Sequence, residues 1–165
     1  MKYMARMKTE GIDEYVRKLE AVGRGTVGAI RHAVYEGAGV AVQAVDRAID
    51  TIPTSNGKYI PGDLPIYGLS AKQKAGLHRG LGLAKMRDDN GYINTKIGFD
   101  GYNDVETARY PNGQPNALIA RAVESGTSRR PKYRFVAKAL KQATPECERK
   151  MAKALETSIN KTMEG

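Results

Sequence analysis

The chain has 165 residues, 27 basic and 18 acidic side chains and a formal charge of +9, with no Trp, two Phe and a single Cys. These figures exclude an intramolecular disulfide and a cysteine-built metal cluster. No apolar run approaches the ~20 residues of a membrane-spanning helix. One domain is expected, with a core drawn from Ala, Val, Ile and Leu, helped by Tyr.

Charge is uneven along the chain: +1 over residues 1–50, +3 over 51–100 and +5 over 101–165. A basic C-terminal third suits nucleic acid or an acidic protein surface. Acids interspersed among the bases equally fit solvated helix faces. The opening "MKYMARMKTEG" lacks the apolar centre of a secretory signal. With the lone Cys147, this reads as a protein made and kept inside a cell, at least at first.

Ile12, Tyr15, Val16, Leu19 and Val22 recur at helical spacing. "GRG" at 23–25 is expected to end that helix. A longer one comes next, with Val27, Ile30, Val34, Ala38, Ala41, Val45 and Ala48 on one stripe. Its glycines cost up to ~1 kcal/mol each in helix propensity and admit a close neighbour. Pro53, Asn56-Gly57 and Pro61 mark a loop. Ser70-Ala71-Lys72-Gln73 is a capping-box sequence and predicts a short helix from Ala71 to about Gly80. The period then changes to two. "LGLAKMR" and "YINTKIGF" predict a hairpin at about 82–99, turning at Asn90-Gly91, with Ile93, Thr95, Ile97 and Phe99 on the apolar face.

Residues 100–116 are polar and rich in turn formers, long for a structureless connection. A short helix comes after them, with Leu118, Ile119, Ala122 and Val123 expected inward. "VESGTSRRP" is next, then a helix through "YRFVAKALKQA". At Thr144-Pro145-Glu146 that helix is expected to restart or kink. Cys147, Met151, Leu155, Ile159 and Met163 form its apolar stripe.

Few of the chemical motifs survive scrutiny. Gly23-Arg24-Gly25-Thr26-Val27-Gly28 matches a dinucleotide fingerprint, but helical periodicity precedes it where a strand is required. His32 and His78 lack a third ligand in metal spacing, and His78 reads as exposed. Asp88, Asp89, Asp100 and Asp104 do not fit a calcium loop. Ser125 and Ser128 are not in a nucleophile elbow, and Cys147 reads as a small core residue. No metal, cofactor or catalytic residue is expected. An anion site at Gly126–Arg130 is physically open, since basic residues precede a helix there.

Three segments taken together carry a resemblance. They are "GLSAKQKAGLHRGLGLAKMRDDNGYINTKIGFDGYN", "YPNGQPNALIARAVESGTSRRPKYRFVAKAL" and the long N-terminal helix. In order and spacing the chain resembles the phage and prophage tail-component family of head–tail joining and tail-completion proteins. Val123, Glu124, Gly126 and Thr127 match its Val-Glu-x-Gly-Thr stretch, and Phe135 with Ala139-Leu140 matches the family's next segment. The family's adjacent Pro-Phe is here split by "KYR" between Pro131 and Phe135.

The resemblance implies a structural, non-enzymatic role in a ring, expected to be six-fold, between the capsid connector and the tail tube. DNA would pass through the opening without sequence-specific binding. The expected partners are further copies of the chain, the connector or head-completion protein and the tail-tube protein. The expected location is the virion neck or tail, and the host cytoplasm during assembly. On this reading Glu124 to Thr127 is a helix end with Gly126 just past it, and Arg129 to Arg134 begin the next helix. Arg129, Arg130, Lys132 and Arg134 are the interface candidates, with Tyr102, Arg109 and Tyr110 of the 100–116 loop. The expected fold is α+β: a small antiparallel sheet packed by a long N-terminal helix and a C-terminal helical segment. The alternative function is nucleic-acid binding through the basic C-terminal third.

Overall fold

The computed structural model describes residues 12–55 and 66–164. The opening eleven residues and the Asn56-Gly57 and Pro61 turn lie outside the described residues. The fold is α+β. Helix α1 (Ile12–Thr51) leads to α2 (Ala71–Gly80) and four short strands: β1 (Leu81–Leu83), β2 (Arg87–Asp89), β3 (Tyr92–Asn94) and β4 (Ile97–Phe99). Helices α3 (Asn116–Ser125) and α4 (Phe135–Glu164) complete it.

The expected break at residues 23–25 is absent, and α1 is one helix of 40 residues. Glycine accepts helical dihedrals and only raises their cost. Extension from an existing helix adds a bond per residue without a new nucleus, so isolated glycines do not stop it. Likewise α4 runs through Pro145 without restarting. The Thr144 hydroxyl donates back to the Leu140 carbonyl at 2.8 Å, a return bond common where a helix is locally distorted.

Helices α1 and α4 pack antiparallel. Glu36 pairs with Lys150 at 3.6 Å. A Cβ added to Gly37 would meet Met151 Cγ at 2.4 Å, so the missing side chain lets the two helices approach there. Further toward the start of α1, Val22, Thr26 and Ile30 share a groove with Leu155, Ile159 and Thr162.

The main core gathers at the other end of the pair. Val45, Ile49 and Ile52 pack with Leu69, Leu77, Ile119, Ala120, Val123, Phe135 and Ala139. Phe99 on β4 meets Phe135 with ring centroids 6.0 Å apart and planes tilted by 52°, a favourable edge-inclined contact between the two phenylalanines of the chain.

The capping box of α2 forms as its sequence predicts: Gln73 N donates to Ser70 Oγ at 3.2 Å and Ser70 N to Gln73 Oε1 at 3.0 Å. The hairpin is one ribbon in two registers. Leu83 pairs with Ile97 and Arg87 with Asn94, while Ala84 N donates to Lys96 O at 2.8 Å. Lys85 and Met86 therefore oppose Thr95 alone, a β-bulge. Asn90 and Gly91 both have positive φ, as a two-residue hairpin turn of this kind requires. The bulge lets Ile93 stay buried while the ribbon tip leans on α1, where Arg31 lies 3.8 Å from Asp88.

Residues 100–116 are more structured than their composition suggests. Asp100 N donates to Gly80 O, Asn116 N to Gly101 O, and Asn103 N to Gln114 O, all at 2.8–2.9 Å. The Asn116 side chain donates to Asp100 O at 2.8 Å. Gly80 is required for this closure, because a Cβ there would lie 2.2 Å from Asp100 O. In α3 the inward residues are Asn116, Ile119, Ala120 and Val123. Leu118, expected inside, is 43% exposed. The buried set runs i, i+3, i+4, i+7 from Asn116, and Leu118 falls outside that stripe.

Candidate functional site

The "VESGTSRRP" stretch joins α3 to α4. Ser125 ends α3, and Gly126 comes next with φ 75° and ψ 171°, a region essentially reserved for glycine. Thr127 and Arg130 then exchange backbone hydrogen bonds at 2.8 and 3.2 Å, closing a tight turn. Helix α4 begins only at Phe135, so Arg129 to Arg134 are not its first turn. Arg134 itself has φ 54°.

Two of the free amides at the start of α4 are already met by the chain's own carboxylate. Glu124 Oε2 accepts from Val136 N at 2.9 Å and Oε1 from Ala137 N at 3.1 Å. A helix start is an anion site because those amides lack partners. Here Glu124 fills it, and the anion reading at Gly126–Arg130 loses its helix terminus.

The seven interface candidates fall into separate groups with different duties. Arg130 is half-buried and serves the fold. Its guanidinium donates to the Gly68 carbonyl, and burial lowers its pKa. The Arg129 carbonyl accepts from Ile66 N at 2.7 Å, tying the turn to the chain beyond α1. Lys132 and Arg134 are exposed. Tyr133 between them donates its hydroxyl to Thr51 O at 2.6 Å, and Lys138 Nζ lies 4.9 Å from its ring centroid, a cation–π contact.

Tyr102, 63% exposed, pairs with Pro115 just before α3, and the Arg109 guanidinium lies 5.7 Å from the Tyr110 ring centroid. The 102–110 group flanks the start of α3, and the 129–134 group lies beyond its end. Ten helical residues, about 15 Å at 1.5 Å per residue, separate them. The structure does not gather the seven into one patch.

Two features have no signal in the sequence. The first is a groove between α1 and α4 beside this turn. Ala44 and Ala48 line it from α1, Ala139 and Ala143 from α4, and Arg47, Lys138, Gln142 and Glu146 from its rim. The second is a clamp on the other flank of α1. His78 Nδ1 lies 2.7 Å from Asp46 Oδ1 and Nε2 lies 3.2 Å from Asp50 Oδ1. Both ring nitrogens face carboxylate oxygens, an arrangement only the doubly protonated imidazolium satisfies. Burial works against that charge, yet Asp46 and Asp50 outweigh it and raise the pKa of His78 above its ordinary value. His78 is therefore a bridge from α2 to α1 rather than the exposed residue expected. No motif marks it, because its partners lie 28 and 32 residues away.

Cys147 is partly buried on α4, and burial first, then Glu146 and Glu148, push its thiol pKa up, which disfavours the thiolate. Among the described residues no group of three or more His, Cys, Asp or Glu side chains is placed to hold a metal ion, and no helix is long and apolar enough to cross a membrane. Comparison with known proteins gives no match from any family model, any curated protein or any solved structure.

Proposed function

We propose that the chain is a structural virion assembly protein acting at the head–tail junction, where it completes the tail and joins it to the capsid connector as a ring of identical copies. Its partners on this reading are its own copies, the connector and the tail-tube protein, with DNA passing through the opening. It would be found in the virion neck or tail, and in the host cytoplasm before that. The order of the Gly-Leu segment, the hairpin and the Val123–Thr127 stretch supports the reading.

The observation that carries it is the shape of the subunit. A small α+β body bears a long helical arm whose far end leaves Tyr15, Val16 and Leu19 between 44% and 56% exposed. A chain that works alone gains nothing from such a surface, whereas a subunit uses it to meet neighbours.

The test is complementation. Extracts from cells in which this reading frame is disrupted should hold separate heads and tails, and purified chain added back should join them. Joined particles without the chain would overturn the proposal. The exposed cations around the start of α4, Lys132, Arg134 and Lys138, favour a second reading as a nucleic-acid-binding protein. That reading requires DNA affinity that falls steeply with salt; no binding at low salt dismisses it.

A further inference from the structure

Two surfaces of the α1–α4 pair are used by nothing within the described chain, and they lie at opposite ends. The first is the start of α1. The inward seam of this helix, Ala33, Gly37, Ala41, Val45 and Ile49, is buried. The same seam continues back in steps of three and four through Ile30, Thr26, Val22, Leu19 and Tyr15. The last turns of α4, through Ile159 and Thr162, lie beside Val22 and Thr26. Before Val22, α1 therefore runs past the described end of α4, and among the described residues nothing covers the seam: Tyr15 is 56% and Leu19 47% exposed. Gly23, Gly25 and Gly28 adjoin this stretch, and a Cβ at any of them would meet nothing within 4 Å. Their cost in helix propensity is not offset by close packing inside the chain.

The second surface is the alanine-lined groove at the far end of the pair. Its floor is alanine methyl groups from both helices, with Thr51, Tyr133 and Phe135 at one end, and the exposed Arg47 and Lys138 border it, Lys138 over the Tyr133 ring. Such a floor accepts large apolar side chains as knobs between two helices, and such a rim favours acids beside them.

We infer that the start of α1 in one copy, Tyr15 to Leu19, docks into the Ala44–Ala48/Ala139–Ala143 groove of the next copy. The charges fit. Glu20 comes after Leu19 and is exposed, so its carboxylate meets Arg47. Glu14 lies 3.5 Å from Lys18 within the same helix, and docking exchanges that exposed pair for Glu14 with Lys138 and Lys18 with Glu146. Arg17 is about 200° around the helix from Leu19 and faces away. Knob and groove are separated along α1 by 29 residues, roughly 43 Å. The contact is not self-complementary, so it repeats head to tail and closes into a ring or propagates. This inference rests on the ring reading above and supplies its interface.

The test uses the full chain with Cys147→Ser, carrying either Leu19→Cys or Ala48→Cys, both checked for unaltered circular dichroism. Under mild oxidation the mixture should give a disulfide-linked pair that neither variant gives alone. In the otherwise native chain, Leu19→Lys should weaken self-association roughly tenfold to a hundredfold, the equivalent of losing one buried leucine. Arg47→Glu should weaken it too and be partly rescued by Glu20→Lys. No mixed pair, or unchanged association in the Leu19→Lys chain, overturns this contact, as does a chain that stays monomeric at millimolar concentration. Heads and tails joined normally by the Leu19→Lys chain overturn the contact alone. Particles joined without any copy of the chain overturn the ring reading itself.

Discussion

Replacing Glu124 by Ala removes the only side-chain acceptor shown for the second and third amides of α4, those of Val136 and Ala137. Losing a capping oxygen costs about 1 kcal/mol, within a range of roughly 0.5–2. A carboxylate at a helix start adds about 0.3–1 kcal/mol through the helix dipole. The two together predict a loss of about 1.5–2 kcal/mol. For a domain of this size that lowers Tm by about 3–8 °C. Glu124→Gln keeps one acceptor and loses the charge, so it should fall about midway. Urea unfolding followed by circular dichroism reads both as shifts in midpoint at constant slope. If Glu124→Ala lies within about 0.3 kcal/mol of the native chain, Glu124 is not the cap and the account of the Val123–Thr127 stretch fails.

Three other contacts give outcomes of their own. The folded pKa of His78 is raised, so its contribution to stability is complete below about pH 6.5 and is lost as pH rises through the folded value; the native chain should lose stability over that window, and His78→Asn should flatten the profile. Gly25→Ala with Gly28→Ala, where a Cβ meets open space, should stabilise the isolated chain by about 0.5–1 kcal/mol each, whereas Gly80→Ala, placed against Asp100 O, should destabilise it by at least that much; thermal melts separate the two. Arg130→Ala leaves the Gly68 carbonyl without its guanidinium donor and should cost about 1–3 kcal/mol, while Lys132→Ala, exposed, should stay within about 0.5 kcal/mol of native.

Local chemistry is legible in the sequence, and long-range pairing is not. Ser70 and Gln73 announce the start of α2 because a capping box is complete within four residues. Asn90-Gly91 announces the hairpin for the same reason, since both residues accept positive φ. The bulge at Lys85 and Met86 is hidden, because one extra residue leaves the apolar alternation of the returning strand intact. The glycines at 23–25 mislead, because each weakens a helix locally and α1 continues through them, whereas at Pro145 the restart, one of the two outcomes the sequence allows, does not occur. Gly126 marks the end of α3, as its sequence suggests. The reach of Glu124 across the turn to α4 is invisible in the sequence, as are the His78 clamp and the assignment of Arg130 to Gly68. Each depends on residues 12 to 62 positions apart.

The proposed role, a repeated structural subunit at the neck of a virion, is open to cryo-electron microscopy of intact particles with symmetry imposed only along the tail axis. The expected density is a closed ring between connector and tail tube, with the 40-residue α1 and its antiparallel partner α4 resolved in every repeat and the start of α1 seated on the adjacent copy. Particles whose neck density holds no such helical pair, and whose protein content lacks the chain, would contradict it.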